Sequence, residues 1–435
     1  MKRIFLLLFS ILPFSLMAIS LDEYYLQILE HNPNFQNQKH ELQAKMLNYK
    51  ISLANFFFSL SANANFLHYH NEIKFSDTVD VPLPSNLDGT ITKKNQYSAE
   101  LKVTQPIFTG GKILAYFKQA GKQKEIQKIE ITLWENKLYT YACNSYFGLL
   151  TAKNFKSTAQ NNVKLLKKHL EEVKVLRKNG WAIKTDVLRT KVALLTAQKT
   201  YAESESQYLN AINIFNELRN SMDNKNISLS TPYLNFKVTM PLKEMERLLV
   251  QNNLELKILE QQKKVIYWEK VKKRSAFLPS IAFYASYNWH KGDQTDLEGG
   301  EHWYAGIQGS INLWNWGKDR WEYEKVNVQY QELLNTIVSK RNELLKKLRK
   351  FYTDLDVYYQ DILRWQEGIK ESKLNYENME ESYKQGVARN LDVLDAYQTY
   401  LEAQTNYFYA CYNYSLTLTQ IKELLNIKWE EFVQK

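Results

Sequence analysis

The chain contains itself twice. Displaced by 221 positions, residues 21–70 align without a gap on 242–291. Leu21-Asp22-Glu23 then meets Leu242-Lys243-Glu244, Asn32 meets Asn253, and Ser59-Leu60 meets Ser280-Ile281. Displaced by 206, Gln105-Pro106-Ile107-Phe108-Thr109-Gly110-Gly111-Lys112 meets Ile311-Asn312-Leu313-Trp314-Asn315-Trp316-Gly317-Lys318. That register holds to the end: Gly180 meets Gly386, Asp186-Val187-Leu188 meets Asp392-Val393-Leu394, and Leu218 meets Leu424. The offsets differ by 15 residues, an insertion within 71–95 of the first copy. Any fold must therefore satisfy one order of elements twice. The copies are 21–218 and 242–435, joined by a linker over 219–241 that holds Pro232 and Pro241.

Punctuation is sparse. The eight prolines stand at 13, 33, 82, 84, 106, 232, 241 and 279, so none falls in 107–231 or 280–435. Proline breaks helix interiors, and tracts this long without it suit very long helices. A compact α/β enzyme needs more tight turns than 14 glycines and eight prolines readily supply. At 44% hydrophobic and 24% charged residues the chain is not disordered. Mean hydropathy is −0.48, and the only long apolar run is N-terminal. That excludes a bundle of transmembrane helices, each of which needs about 20 apolar residues.

The N-terminal run reads as a secretory signal over 1–20. Lys2 and Arg3 precede the apolar stretch Ile4–Met17, and Ala18-Ile19-Ser20 offers small residues for cleavage after 18 or 20. No cysteine near the cut could carry a lipid. Removing 1–20 lowers the formal charge from +10 to +8. The lysines are interspersed with Glu and Gln along helical stretches, the pattern of solvated faces, and no nucleic-acid partner is expected. Cys143 and Cys411 make no disulfide framework.

Each copy begins with a helix (about 22–57 and 242–277), continues in two strands, and ends in two long helices that meet at a glycine. The strands show period two. Leu60, Ala62, Ala64 and Phe66 share one face, as do Tyr97, Ala99, Leu101 and Val103. So do Ile281, Phe283, Ala285, Tyr287 and Trp289, and then Ala305, Ile307, Gly309, Ile311 and Leu313. The hairpins span about 59–108 and 280–314, with loops at 71–95 and 291–302. Strands of about 10 residues, apolar on one side, suit a tilted bilayer crossing. In the helices, Ile337, Leu344, Leu348, Phe351, Leu355, Tyr358 and Ile362 keep helical spacing, with Arg341 in the seam. As one helix, 113–178 would span roughly 100 Å. Gly180 and Gly386 sit where the chain must turn back.

Four strands cannot close a membrane barrel, and lipid does not tolerate open edges. Two copies would give eight strands with a filled interior, and three would give twelve with room for a lumen.

The chain resembles the TolC-like outer-membrane efflux proteins over essentially its whole mature length. Leu21-Asp22-Glu23 with Asn32-Pro33 carries the resemblance at the start. Gln105-Pro106-Ile107-Phe108 before Gly110-Gly111 resembles the family's strand-to-helix junction, and Trp314-Asn315-Trp316-Gly317 its second-repeat version. Tyr383 and Gly386, followed by Leu391-Asp392-Val393-Leu394-Asp395-Ala396, resemble its C-terminal tip. The resemblance implies an α+β membrane protein: long antiparallel helical hairpins, and four strands per chain in a twelve-stranded barrel of a homotrimer. It further implies an outer-membrane duct extending into the periplasm, docked onto a periplasmic adaptor and an inner-membrane transporter of RND or ABC type. The first repeat departs from the family with Phe58 where the second has Pro279. Ala388, followed by Arg389, stands where the best-known members carry a latching arginine.

Asp392 and Asp395 lie three apart on one helix face. In a trimer they would ring the entrance with six carboxylates and favour cations. They could equally stabilise the helix N-terminus, with Asn390 as its cap. Asp186, Tyr383 and Arg389 form a possible latch, in which Arg177 and Arg189 compete for Asp186. Gly180, Trp181 and Gly386 mark the docking tips. Pro106, Gly110, Gly111, Trp314, Trp316 and Gly317 mark the strand-to-helix junctions. Phe56, Phe57, Phe58, Tyr69, Phe108, Trp289, Trp303, Trp314 and Trp316 cluster near strand ends, as interfacial girdles or as junction packing. His68 and His70 share a strand face without a third ligand. The two cysteines differ in height by roughly 18 Å in this arrangement, too far for a disulfide. No phosphate loop, Gly-x-Ser-x-Gly or Cys-x-x-Cys occurs, so no enzyme activity, metal or cofactor is expected. The alternative to a duct is a secreted or surface structural coiled-coil protein.

Overall fold

The computed structural model describes residues 18–71, 73–74, 90–222, 227–293 and 300–432. The hydrophobic part of the expected signal therefore lies outside the described residues, as does most of the expected 71–95 loop. The chain divides into two compact units. One holds 1–39, 129–257 and 339–435, and the other 40–128 and 258–338.

The helical unit begins at Ser20. Its hydroxyl accepts the Glu23 N–H at 3.2 Å while the Glu23 carboxylate accepts the Ser20 N–H at 2.9 Å, a capping box at the start of α1 (Leu21–His31). Ile19 forms a parallel bridge with Leu229. A cut after Ala18 leaves this cap in the mature chain, whereas a cut after Ser20 removes it.

The single opening helix expected in each copy is in fact two. α1 is followed by α2 (Pro33–Ala54), and in the second copy α5 (Leu242–Asn252) by α6 (Leu254–Arg274). Asn32 and Asn253 make the breaks. Each leaves the helical conformation, with ψ at 117° and 127°, and each side-chain oxygen caps the next helix, accepting the N–H of Phe35 or Leu256 at 3.1 Å. Each side-chain amide also donates to a carbonyl in the last turn of a third helix: Leu218 at 3.3 Å and Leu424 at 3.0 Å. Those helices are α4 (Lys184–Leu218) and α8 (Asn390–Leu425). One asparagine thus satisfies orphan groups at a helix start and at a helix end.

Around these breaks packs an apolar core of Tyr24, Ile28, Phe35, Tyr146, Phe147 and Phe215, all nearly inaccessible. Tyr24 stacks on Phe215 at 3.7 Å and donates its hydroxyl to the Phe215 carbonyl at 2.9 Å. The expected linker is held against this unit: the Thr231 N–H donates to the Tyr146 hydroxyl, and the Leu234 N–H to Ser415. The helical seam read from the sequence is buried at Leu344, Leu348, Leu355 and Ile362. Cys143 and Cys411 are both buried and free.

The other unit carries the sheet. Its strands are β1 (Ser59–His68), the two-residue β2 (Ile73–Lys74), β3 (Thr90–Phe108), β4 (Ser280–Asp293) and β5 (Gly300–Ser310). The order is β1-β3-β4-β5, all antiparallel, with β2 on β3. Two expectations are corrected. The insertion is not all loop, because β3 begins at Thr90 and β2 lies within it. The last strand ends at Ser310 rather than near 314, because β4 begins at Ser280, opposite Ser310, and offers nothing further to pair with.

Residues opposite one another in an antiparallel ladder share a face. The register therefore builds two unlike surfaces. Leu60, Val103, Ala285 and Ala305 form one row, and Ala62, Leu101, Tyr287 and Trp303 the next, all apolar. Between them run Ser61, Lys102, Ser286 and Tyr304, then Asn63, Glu100, Asn288 and His302. On that polar face Glu100 accepts from Asn63 at 3.3 Å and from Ser286 at 3.0 Å. The apolar face is open in the single chain, with Leu60, Phe66, Leu101, Trp303 and Ile307 exposed.

Each strand-to-helix junction uses two successive residues at positive φ: Gly110 (60°) and Gly111 (86°) before α3 (Lys112–Lys178), and Trp316 (57°) and Gly317 (79°) before α7 (Lys318–Lys384). Gly110 has a second reason to be glycine, since a Cβ there would stand 2.9 Å from both the Leu278 Cβ and the Ser275 carbonyl oxygen. Trp316 holds the matching conformation despite its side chain, which costs about 1–2 kcal/mol. Phe56 packs edge-on against Phe117 and Trp314 against Trp316, and Phe56, Phe57, Phe58, Trp314 and Trp316 are all exposed.

Candidate functional site at the helical tips

α3 and α7 each run for 67 residues, roughly 100 Å, before the chain reverses. Both reversals have the same bonds. The Gly180 N–H donates to Arg177 and the Trp181 N–H to Leu176. The Gly386 N–H donates to Tyr383 and the Val387 N–H to Ser382. This is a Schellman termination, with glycine at the left-handed position. Gly180 lies at φ 79° and Gly386 at 76°, and a Cβ at either would meet nothing within 4 Å. Backbone conformation, not space, requires glycine here.

The helix that follows each reversal is capped by its own acid. The Asp186 carboxylate accepts the Ile183 N–H at 3.3 Å, and Asp392 accepts the Arg389 N–H at 3.0 Å. The cap of α8 is therefore Arg389 rather than Asn390, which is the first helical residue. The Arg389 guanidinium also grips Asp392, with Nε at 3.1 Å and Nη2 at 2.8 Å. These bonds to Arg389, side chain first and backbone second, hold the Asp392 carboxyl below the usual carboxylate range. Within one chain the possible latch residues Asp186 and Arg389 are thus each engaged locally. Asp395 has no ion pair among the described residues and is exposed.

Asn390 instead closes a buried polar network. Its Oδ1 accepts from His169 Nε2 at 2.8 Å, and its Nδ2 donates to Thr190 Oγ1 at 3.1 Å and to the Asp186 carbonyl at 3.3 Å. All three side chains are buried. Three helices from both hairpins, α3, α4 and α8, are stitched at this point. Sequence reading missed His169 and Thr190. The available signal was a polar residue on the buried seam of Leu166, Leu170 and Val173. Tyr383 packs 5.7 Å from the His169 ring, and its buried hydroxyl has no hydrogen-bond partner among the described residues. Burial, helped by the Asp186 charge, pushes that phenol up to about 12.

Apolar side chains cap both reversals from outside. Trp181 is 71% exposed and its repeat counterpart Val387 is 80% exposed, with Ile183 alongside. Among the described residues no three side chains of metal-ligand type come together, and no helix is long and apolar enough to cross a membrane. The strands follow a different rule, because barrel segments need only alternate.

The pattern of the outer membrane efflux protein family matches residues 24–221 and again 247–426, once per repeat. No curated protein matches in sequence. Among solved structures, CusC superposes with a TM-score of 0.80 at 13% identity, over 93% of this chain and 91% of that one. VceC of Vibrio cholerae gives 0.76 at 16%, over 93% and 95%. The CmeC outer membrane channel of Campylobacter jejuni gives 0.79 at 15%, over 93% and 85%. These likenesses are of fold. With the twofold family match they establish that the chain belongs to the outer membrane efflux protein family, whose members are channels of the outer membrane rather than enzymes.

Proposed function

We propose that the chain is a homotrimeric exit duct serving a tripartite efflux or type I secretion assembly. Cargo would pass from the periplasm to the exterior, with the energy supplied by an inner-membrane transporter of RND or ABC type. The observation that best supports this is the two-faced sheet. Its exposed apolar rows suit outer-membrane lipid and its polar rows suit a water-filled lumen. Four strands with free edges require further copies to close. The exposed Trp181, Ile183 and Val387 at the reversals suit docking to a periplasmic adaptor.

The periplasmic entrance would be lined by Asp392 and Asp395. Arg389 offsets much of the Asp392 charge, so Asp395 would carry most of the cation preference. Single-channel conductance in planar bilayers tests this, with wild type beside Asp392→Ala/Asp395→Ala. Cation-selective pores that lose selectivity in the variant are expected. Unchanged selectivity would demote the aspartates to helix-end residues. A folded trimer that forms no pores would refute the duct and leave the structural coiled coil.

A further inference from the structure

The repeat carries information about an interface that one chain does not contain. The structure fixes both offsets independently of sequence identity. α1 and α5 begin at 21 and 242, and β1 and β4 at 59 and 280, which is 221 apart. α3 and α7 span 112–178 and 318–384, and the positive-φ pairs fall at 110–111 and 316–317, which is 206 apart. The pairing of β3 with β4 is therefore the contact of repeat one with repeat two. Its counterpart, repeat two with the next repeat one, would join β5 to β1 of another copy.

Within the chain that counterpart is missing, and its absence leaves a mark. Gln105, Pro106 and Phe108 are strand only through β4, opposite Phe283, Ala282 and Ile281, since the β1 ladder stops at Thr104. Their equivalents, Ile311, Asn312 and Trp314, have no such partner and no strand structure. Among the described residues β5 pairs only with β4 and β1 only with β3.

Resting on the homotrimeric reading above, we propose that residues 305–312 of one chain pair antiparallel with 61–68 of a second copy, in a register copied from β3 and β4. Leu101–Tyr287, Lys102–Ser286, Thr104–Tyr284 and Gln105–Phe283 are the templates. Shifted by the two offsets, they become Ile307 with the partner's Phe66, Gln308 with the partner's Asn65, Ser310 with the partner's Asn63, and Ile311 with the partner's Ala62. A check that did not enter the construction agrees with it, seen both pair by pair and around the whole sheet. From Ile307 to Asn312 the pairs alternate apolar with apolar and polar with polar, which a one-residue slip would destroy; only the end pairs, Ala305 with the partner's His68 and Gly306 with the partner's Leu67, depart from it. Across the sheet, Ala62 leads through Leu101, Tyr287 and Trp303 to residue 70 of the partner. That advance of eight residues per chain is even, so every face keeps its side when the barrel closes. At the junction, Trp316 takes the place of Gly110, and the partner's Ala54 and Phe57 take those of Ser275 and Leu278. The strained tryptophan thus meets an exposed apolar surface.

Disulfide trapping in the full-length, detergent-solubilised protein tests the register. Ser310→Cys is combined with Asn63→Cys, and in parallel with the two-residue slips Ser61→Cys and Asn65→Cys. Directly opposed residues lie about 4.5–5.5 Å apart between Cα atoms, inside the disulfide range, and diagonal ones about 7–8 Å. After copper-phenanthroline oxidation, the in-register pair is expected to give about fivefold more reducible interchain product than either slip. Cys143 and Cys411 stay in place, buried in the helical unit, and the wild-type chain reads the background. Gln308→Cys with Asn65→Cys reads the same register if the first pair disturbs assembly. Native mass spectrometry on each sample reports the trimer. A trimer in which a slipped pair links as well or better overturns the register and leaves the duct. A chain that does not assemble into trimers overturns both.

Discussion

Replacing Asn253 isolates a side chain that serves two helix ends at once. In Asn253→Ala, α6 loses its cap on the Leu256 N–H, worth about 1 kcal/mol. The Leu424 carbonyl loses its donor in a site where Asn253 is 4% exposed, at a further cost of about 1–2 kcal/mol. The sum is about 2–3 kcal/mol per chain. Unfolding entropy near 2.1 cal/mol/K per residue gives roughly 0.9 kcal/mol/K for this length, so the midpoint falls by about 2–3 °C. The assay is helical circular dichroism of the solubilised protein at one fixed scan rate, because irreversible unfolding makes the midpoint rate-dependent. Asn253→Ser restores the cap alone and should recover about half of the loss. Asn253→Asp keeps the cap but sets a negative charge against the Leu424 carbonyl, and should fall at least as far as alanine. Asn32→Ala should cost less, since its bond to Leu218 is longer at 3.3 Å and the site is less buried. An alanine variant within about 0.5 °C of wild type, or an aspartate variant equal to it, would refute the double-cap reasoning.

Gly180→Ala and Gly386→Ala should each cost about 1 kcal/mol through positive φ alone, with the asparagine variants in between; the same melts check this, and a larger loss would point to packing at the tip. Arg389→Ala should let the Asp392 carboxyl titrate nearer its ordinary value, because the guanidinium is the largest cause of its depression. The stabilisation from a depressed carboxyl is complete above the unfolded value and lost as pH falls through the folded one. Reversal potentials should therefore show a pore that is more cation-selective at neutral pH but surrenders selectivity at a higher pH on acidification. Superimposable curves would detach Arg389 from the entrance.

The elements that alternate or repeat were legible. Leu60, Leu101, Tyr287 and Ile307 announced their strands because apolar residues fall at alternate positions, a pattern that is visible in the sequence whatever finally covers that face. The long helices showed through the absence of proline, and both reversals through glycine. What escaped was set by partners distant in sequence. Asn32 and Asn253 look like ordinary helical residues until their carbonyl targets, 186 and 171 positions away, come within reach. Asn390 reads as a cap by residue type, yet it is buried among His169, Thr190 and the Asp186 carbonyl, partners about 200 or more positions earlier in the chain. The end of β5 escaped for the opposite reason. Alternation persists through Leu313, but strand structure needs a ladder, and within one chain the ladder stops at Ser310.

The open sheet has a consequence for how such a chain reaches its destination. Before closure, β1 and β5 each present unpaired backbone groups, and the apolar rows between them face water. An exposed apolar edge is a template for indiscriminate pairing, so a lone folded sheet is a hazard in any crowded compartment. The helical unit carries its own buried core within one chain. The sheet leaves its apolar face open. Ordering in time follows: the strands should be the last part to set, kept unpaired or escorted until membrane and sister chains are both at hand, so that insertion and oligomerisation become one event.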